Sequence, residues 1–404
     1  MSRFEAPRGT HDILPAEQPR WQRVIGEMET VCALYGYRRI DTPAIEDTDL
    51  IIRTSGAGSD VVQKETYTFE DRGGRSLTLR PEGTAPICRA YVEHGLHREP
   101  QPQKLYTIAP MWRYDRPQKG RYREHWQLSV EAIGSDDPAL DAELIQLYTE
   151  LLRRLGITGY ELKLNSIGDP VCRPAYVERL SAWLDENDAR LDDEARAKRL
   201  TSPLRVFDVK SERVQEALRD APTIGDSLCE PCREHFARVR EYLDAYGVAY
   251  ELTPTLVRGL DYYTRTTFEF YEGGTQILGG GRYDGLIEEI GGSPTPAIGF
   301  GAGVERLLLS VQEAEVPEPA VDVFFAFDGD VARAPALAVM AELRRRGIST
   351  DTDYAGRSLK GQLTQAGRLN ARTTVVVDVE GARVRHAGTE ERVSLGELVA
   401  RLAG

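Results

Sequence analysis

Apolar residues fall at helical spacing along four stretches of the chain. Trp21, Val24, Ile25, Met28, Val31, Cys32 and Tyr35 mark one face of a long helix, with Gly36 as its stop. Leu140, Leu144, Leu147, Leu151 and Leu155 mark a second. Tyr176, Leu180 and Trp183 share a face of a third, and Phe236, Val239, Leu243 and Tyr246 of a fourth. Elsewhere the pattern follows strands. RRIDTPAIED reads as a strand with Pro43 near its end, where a residue without an N–H is tolerated. SLTLRPEGT (76–84), KLYTIAPMWRY (104–114), QLSVEAIGS (127–135) and YELKLNSIG (160–168) read as further strands. Strand-like text resumes at 249–271 and runs through a Gly-rich hairpin (273–285) to AIGFGAGVERLLLSV (297–311).

The charged, helical run 169–247 interrupts sheet text on both sides, so it reads as an insertion that splits one domain into 1–168 and 248–316. EAEVPEPAVD (313–322) reads as a linker. Beyond it VDVFFAF, the helical 331–346, ISTDTDY, the helical 358–370 and TTVVVDV alternate strand and helix, an α/β module over 320–404.

Composition narrows the class. At 41% hydrophobic and 28% charged, the 404 residues are ordinary globular text. No apolar run approaches the ~20 residues that span a bilayer, and the N-terminus lacks an apolar signal core. Five cysteines in such a chain do not make a disulfide framework. A cytoplasmic location and no membrane are expected. The net charge of -13 argues against a polyanionic partner, but Arg113 to Arg123 carries five basic residues against Asp115 alone. A local RNA contact therefore stays open.

Gly299, Gly301 and Gly303 precede Arg306 in GFGAGVER, but Val304 breaks a dinucleotide GxGxxG. GRSLKGQ (356–362) has Gln362 where a phosphate-binding loop needs lysine. Glycines at alternate strand positions leave one face bare for a flat base, with Arg306 beyond to meet a phosphate, or else simply pack on a helix. Arg113, Arg116, Lys119, Arg121 and Arg123 lie within one short segment, and guanidinium forks match phosphate oxygens in pairs.

Taken together, TPAIED after its helix, WRYDRPQKGRYRE and GFGAGVER resemble the three ordered motifs of class II aminoacyl-tRNA synthetases. Within that class, LVRGLDYYTRTTFEF (256–270) and GGGRYDGL (279–286) resemble the two private signatures of the histidyl-tRNA synthetase family. APRGTHDILP (6–15), TLRPEGTAP (78–86) and VEAIG (130–134) match it too, so the resemblance covers nearly the whole chain.

That resemblance implies an α/β protein: an α+β catalytic domain with an antiparallel sheet over 1–168 and 248–316, the helical insertion 169–247, and a C-terminal anticodon-binding domain over 320–404. It implies a homodimer, with ATP and Mg²⁺ as substrate and cofactor and L-histidine and histidine tRNA as partners. Histidine and ATP would form histidyl-adenylate, and the histidyl group would pass to the tRNA 3′ end. Arg113 and Arg258 would act at the α-phosphate, with Gln127 as the third catalytic residue. Arg121, Arg123, Gly303 and Arg306 would hold the rest of ATP. Glu131, with Tyr262 and Tyr263, would bind the imidazole, while Glu82, Gly83, Thr84 and Gln127 hold the amino and carboxylate groups. Arg116 and Gln118 match the loop that reads the tRNA 5′ end.

His125-Trp126 departs from the family's Phe-His before Gln127, and His125 is read as structural. A histidine-binding regulatory subunit of ATP phosphoribosyltransferase is the alternative. Such relatives lose catalytic arginines and the tail, whereas Arg113, Arg258, Arg306 and residues 320–404 are present here. A non-enzymatic RNA sensor would likewise not need them. Cys229-Glu-Pro-Cys232 with His235 offers half a metal site, but no second pair is evident and no metal is expected.

Overall fold

The computed structural model describes residues 4–56, 61–258, 262–311, 320–329 and 333–403. Most of the expected linker 313–322 and Gly259, Leu260 and Asp261 of the RGLDYY signature lie outside the described residues, as does the start of the helix expected at 331–346. The chain divides into two compact units, one from Met1–Ile13 and Arg20–Gln312, the other from Leu14–Pro19 and Glu313–Gly404.

The first unit is built on an eight-stranded sheet. Its strands are β1 (Arg38–Arg39), β2 (Gln103–Trp112), β3 (Glu124–Ile133), β4 (Tyr160–Ser166), β5 (Glu251–Leu252), β6 (Thr264–Glu272), β7 (Thr275–Arg282) and β8 (Ala297–Gly303). Their order is β1-β2-β3-β8-β7-β6-β4-β5, antiparallel except at the two edge pairs, which are parallel. The expected antiparallel α+β architecture is what folds. RRIDTPAIED is not one strand, however. Arg38–Arg39 pairs with β2, the chain bends through Thr42 and Pro43, and Ile45–Asp47 restarts in a separate three-stranded sheet with Tyr67–Glu70 and Ser76–Leu79. Pro43 cannot donate to a ladder, which separates the two pieces.

The helices Gln18–Leu34 and Pro138–Arg154 cover one face of the sheet and bury Val24, Met28, Val31, Leu144, Leu147, Tyr148 and Leu151 against it. The insertion has its own core, in which Tyr176, Leu180, Leu184, Val206, Val214 and Leu218 cluster. The helix Glu230–Tyr246 serves two cores. Cys232 near its start sits in the insertion cluster, but Val239 and Leu243 pack in the main core. Tyr246, expected on the buried face, is exposed. A charged network ties these pieces together. Arg282, with no exposed surface, pairs with buried Asp141, which also meets His235 Nε2 at 2.8 Å. Burial opposes ionising Asp141, but Arg282 and His235 overcome it and hold the carboxyl below its usual range.

The second unit carries five strands in the order Thr350–Thr352, Val323–Phe327, Thr373–Asp378, Gly381–His386, Thr389–Val393, the first three parallel. Val323–Phe327 is buried throughout, as a central parallel strand covered on both faces must be.

Candidate active site

Strand alternation divides β3 into two chemistries. Leu128, Val130 and Ala132 face the core, while Gln127, Ser129 and Glu131 face the other way. β8 repeats this: Ile298, Phe300 and Ala302 are core, and Gly299, Gly301 and Gly303 lie opposite Glu131, Ser129 and Gln127. The second face of the sheet is thus polar, and a cavity opens on it. Glu82, Thr84, Arg113, Gln127, Arg258 and Arg306 line it, with Arg121, Tyr262, Tyr263 and Gly303.

The glycines make room for side chains rather than for a bare face. A Cβ on Gly299 would sit 1.7 Å from Glu131 Oε2, and one on Gly301 2.7 Å from Gln127 Nε2. On Gly279 it would meet Arg258 Nη1 and Nη2 at 2.3 Å, and on Gly83 Ser129 Oγ at 2.3 Å. Only next to Gly303, near the stem of Arg306, is the expected open approach kept.

One end of the cavity suits an amino acid. Glu82 accepts the amide hydrogens of Thr84 and Ala85 at 2.6 and 2.8 Å, at the start of the helix Thr84–Glu93. Thr84 donates to Glu131 Oε1 at 2.7 Å, and the Tyr283 hydroxyl donates to Oε2. Burial pushes both carboxyls above their usual range, Glu131 well above, with Glu82 adding repulsion to Glu131. Tyr262 and Tyr263 form an aromatic wall, centroids 4.6 Å apart, and Tyr283 packs edge-on at 5.6 Å from Tyr262.

The other end is cationic. Arg113 Nε donates to Pro81 O at 2.7 Å. Arg121 makes a bidentate pair with Asp115, both bonds 2.7 Å. Arg306 Nη1 donates to Gln276 O at 2.5 Å. Burial depresses the Arg306 pKa, and Arg121 and Arg113 depress it further, so an anion there would be held by three cations. His125 is driven to about 3 by burial and by Arg113 and Arg306, which keeps it neutral and too weak for a general base. Arg258 pairs with Glu269, which also accepts from Gln276 Nε2 at 2.8 Å and from Tyr271. The guanidinium stands 5.5 Å over the Tyr263 ring, and its Nε finds no hydrogen-bond partner among the described residues.

Several predicted residues do not line the cavity. Glu131 lies beneath its floor, bonded as above. Arg123 stacks 3.7 Å over Tyr114 and donates to Asp115 O, so it braces the loop. Arg116 and Gln118 are exposed on that loop, which closes through mutual backbone bonds of Gln118 and Arg121. Residues the sequence did not single out also enter. Tyr122 and Asp115 line the cavity, as does Glu305, whose oxygens accept the Trp126 amide at 2.8 and 3.1 Å. Asp115 had a signal, as the one acid in a basic run. Glu269 had none, because only the β6–β7 pairing puts it opposite Gly279.

Residues 9–307 match the family model described as histidyl-tRNA synthetase, and residues 325–404 match the anticodon binding domain. The chain is 48% identical over 409 residues to the histidine–tRNA ligase of Desulforudis audaxviator, spanning 98% of this chain and 97% of that protein. Its structure matches the apo histidyl-tRNA synthetase of S. aureus with a TM-score of 0.83 at 36% identity, covering both chains fully. A Bacillus halodurans protein described as ATP phosphoribosyltransferase regulatory subunit/histidyl-tRNA synthetase gives a TM-score of 0.68 at 24% identity over 94% of this chain and 99% of that one, a likeness of fold alone.

Proposed function

The chain belongs to the histidyl-tRNA synthetase family, and from that premise we propose how its cavity performs the family's reaction. It is an ATP-dependent histidine–tRNA ligase. The carboxylate of histidine attacks the α-phosphorus of ATP, the bond to pyrophosphate breaks, and histidyl-adenylate forms. A ribose hydroxyl of the terminal adenosine of tRNA then attacks the histidyl carbonyl and AMP leaves.

The observation that carries the residue roles is the meeting of Arg113, Arg258 and Arg306 with Glu82, Thr84, Gln127 and the tyrosine pair in one cavity. These come from four separate stretches of chain, around 82–84, 113–127, 258–263 and 306. Two anions must approach each other in the first step, and Arg113 and Arg258 stabilise the charge that develops as they do. Gln127, braced on Ser129 Oγ at 2.9 Å, orients the attacking carboxylate. Arg121, Arg306 and the backbone at Gly303 hold the outer phosphates, and Arg123 fixes their loop. Glu82 and Thr84 take the ammonium group, with Gly83 letting the chain approach β3. Tyr262 and Tyr263 enclose the imidazole, and Glu131 braces Tyr262 through Tyr283 and holds the Thr84 hydroxyl.

Mg²⁺ would accompany ATP and offset its phosphate charge, and Asp115 and Glu305, two of the carboxylates that line the cavity, would hold it there. Arg116 and Gln118, exposed on the loop beside the cavity mouth, contact histidine tRNA, and the second unit contacts its anticodon. A homodimer is favoured by the small sheet that exposes Ile45 and Phe69. A cytoplasmic location suits a tRNA substrate and five free cysteines, and no described helix is long and apolar enough to cross a membrane.

Calorimetric titration of single ligands tests the division of the cavity. Arg306→Ala should weaken ATP binding by roughly tenfold or more, as loss of a charge-assisted contact implies, and leave histidine binding unchanged. Loss of histidine affinity instead would overturn the assignment.

A further inference from the structure

Four metal-ligating side chains gather at the base of the helical insertion. We propose that Asp169, Cys172, Cys229 and Cys232 form a structural zinc site that clamps the two ends of the insertion together. One ligand atom from each lies within 4.8 Å of every other. Cys172 Sγ and Cys232 Sγ are 3.9 Å apart, and Cys229 Sγ is 3.9 Å from both Asp169 oxygens. A tetrahedron with Zn–S bonds of about 2.3 Å has edges of about 3.8 Å. The Cys172–Cys232 and Cys229–Asp169 edges are already at that length, and no edge exceeds 4.8 Å. A disulfide needs sulfurs about 2.05 Å apart, so no pair is set for one.

The sequence shows half of this site and points its third ligand the wrong way. His235 turns to Asp141 in the main core, 2.8 Å from it. The missing half comes from the other end of the insertion, sixty residues earlier, which no local spacing reveals.

The surroundings suit a cation bound by thiolates. Cys172 and Cys229 are the N-caps of the helices Arg173–Glu186 and Glu230–Tyr246, so two helix N-termini face the cluster and offset its negative charge. Asp169 Oδ1 accepts the amides of Val171 and Cys172 at 3.0 and 3.1 Å, which fixes the carboxylate and leaves Oδ2 for the ion. The Asp169 amide meets Cys172 Sγ at 3.4 Å. Three soft sulfurs and one oxygen in a tetrahedron select zinc over magnesium or calcium. Cys172 and Cys232 are buried while Asp169 and Cys229 are partly exposed, so the ion has an entry path.

The clamp also reaches the reaction centre. Arg173, next to Cys172, donates to Tyr263 O at 2.6 Å and to Gly168 O at 3.1 Å. Fixing Cys172 therefore fixes the strand end that carries the tyrosine wall.

The test uses the full chain, expressed with added zinc and purified without chelators. Elemental mass spectrometry should find about one zinc per chain, falling below about a tenth of that in Cys172→Ser/Cys232→Ser. Metal-stripped wild type given Co²⁺ should show thiolate-to-cobalt charge transfer in the near ultraviolet and tetrahedral d–d bands in the visible. That spectrum decides the matter alone should the double variant not stay soluble. Wild type with no zinc and no cobalt bands, its thiols all titratable or joined in a disulfide, would overturn the site. So would a double variant that keeps its zinc.

Discussion

Substituting two neighbouring glycines of β7 should separate catalysis from folding. A Cβ on Gly279 would lie 2.3 Å from both terminal nitrogens of Arg258 and 2.4 Å from its Cζ, and no backbone atom is among its three nearest neighbours. Ordinary contact needs about 3.5 Å, so the guanidinium must move by about 1 Å. It is the far end of a long side chain, so the sheet need not yield. A 1 Å displacement of a reacting group costs up to about 100-fold, and loss of one transition-state donor about 100- to 1,000-fold. Gly279→Ala should therefore lower histidine-dependent ATP–pyrophosphate exchange by about 100-fold or more with the thermal midpoint nearly unchanged. A Cβ on Gly280 would instead strike Gly299 O and Phe300 Cβ at 2.6 Å and Phe268 Cζ at 2.7 Å, all fixed in the sheet and core. Gly280→Ala should cost about 1–3 kcal/mol as an overpacked core does and lower the melting temperature clearly. Exchange in Gly279→Ala within about threefold of wild type would refute the placement of Arg258 at the reacting phosphate. So would loss that merely tracks a fall in melting temperature.

Other outcomes follow from the same geometry. Burial raises Glu305 to about 7. Its folded pKa lies above the unfolded value near 4.5, so the native state binds the extra proton and stability falls as pH rises from about 4.5 to 7, by about 3 kcal/mol at most. Glu305→Gln removes that fall, so the melting temperature of the variant relative to wild type should climb between pH 5 and pH 8; a pH-independent difference contradicts this. Glu131→Ala strips the acceptor from Thr84 and Tyr283, and should raise the histidine KM at least about tenfold while the ATP KM stays within about twofold; an unchanged histidine KM counts against the pocket. Arg282→Met leaves Asp141 with a buried charge and should destabilise the first unit by about 3–5 kcal/mol, read as a large drop in urea midpoint; a small change would show that His235 suffices.

Much of this was legible because periodicity reports burial. The seven apolar positions from Trp21 to Tyr35 mark one helix face, and five of the seven are buried in the main core, with the other two packed against it. The alternating glycines of GFGAGVER read correctly as one bare face of a strand, but not what fills it. Glu131 and Gln127 come from β3, and only the β3–β8 register brings them there. GGGRYDGL shows the same limit. Its string is specific, yet Gly279 serves the cavity, Gly280 the sheet, and Arg282 a buried pair with Asp141, 141 positions away. RRIDTPAIED failed as a single strand because alternation continued across a proline that changes sheets. Long-range partners account for the cysteine cluster too, since Cys172 and Cys229 are adjacent only through the fold of the insertion.

The central claim is that one cavity activates histidine and no other amino acid. Amino-acid-dependent ATP–pyrophosphate exchange, run with each of the twenty amino acids in turn, tests it most directly. Exchange with histidine alone is the predicted result. No exchange with any amino acid, or exchange with one lacking an imidazole, would contradict it.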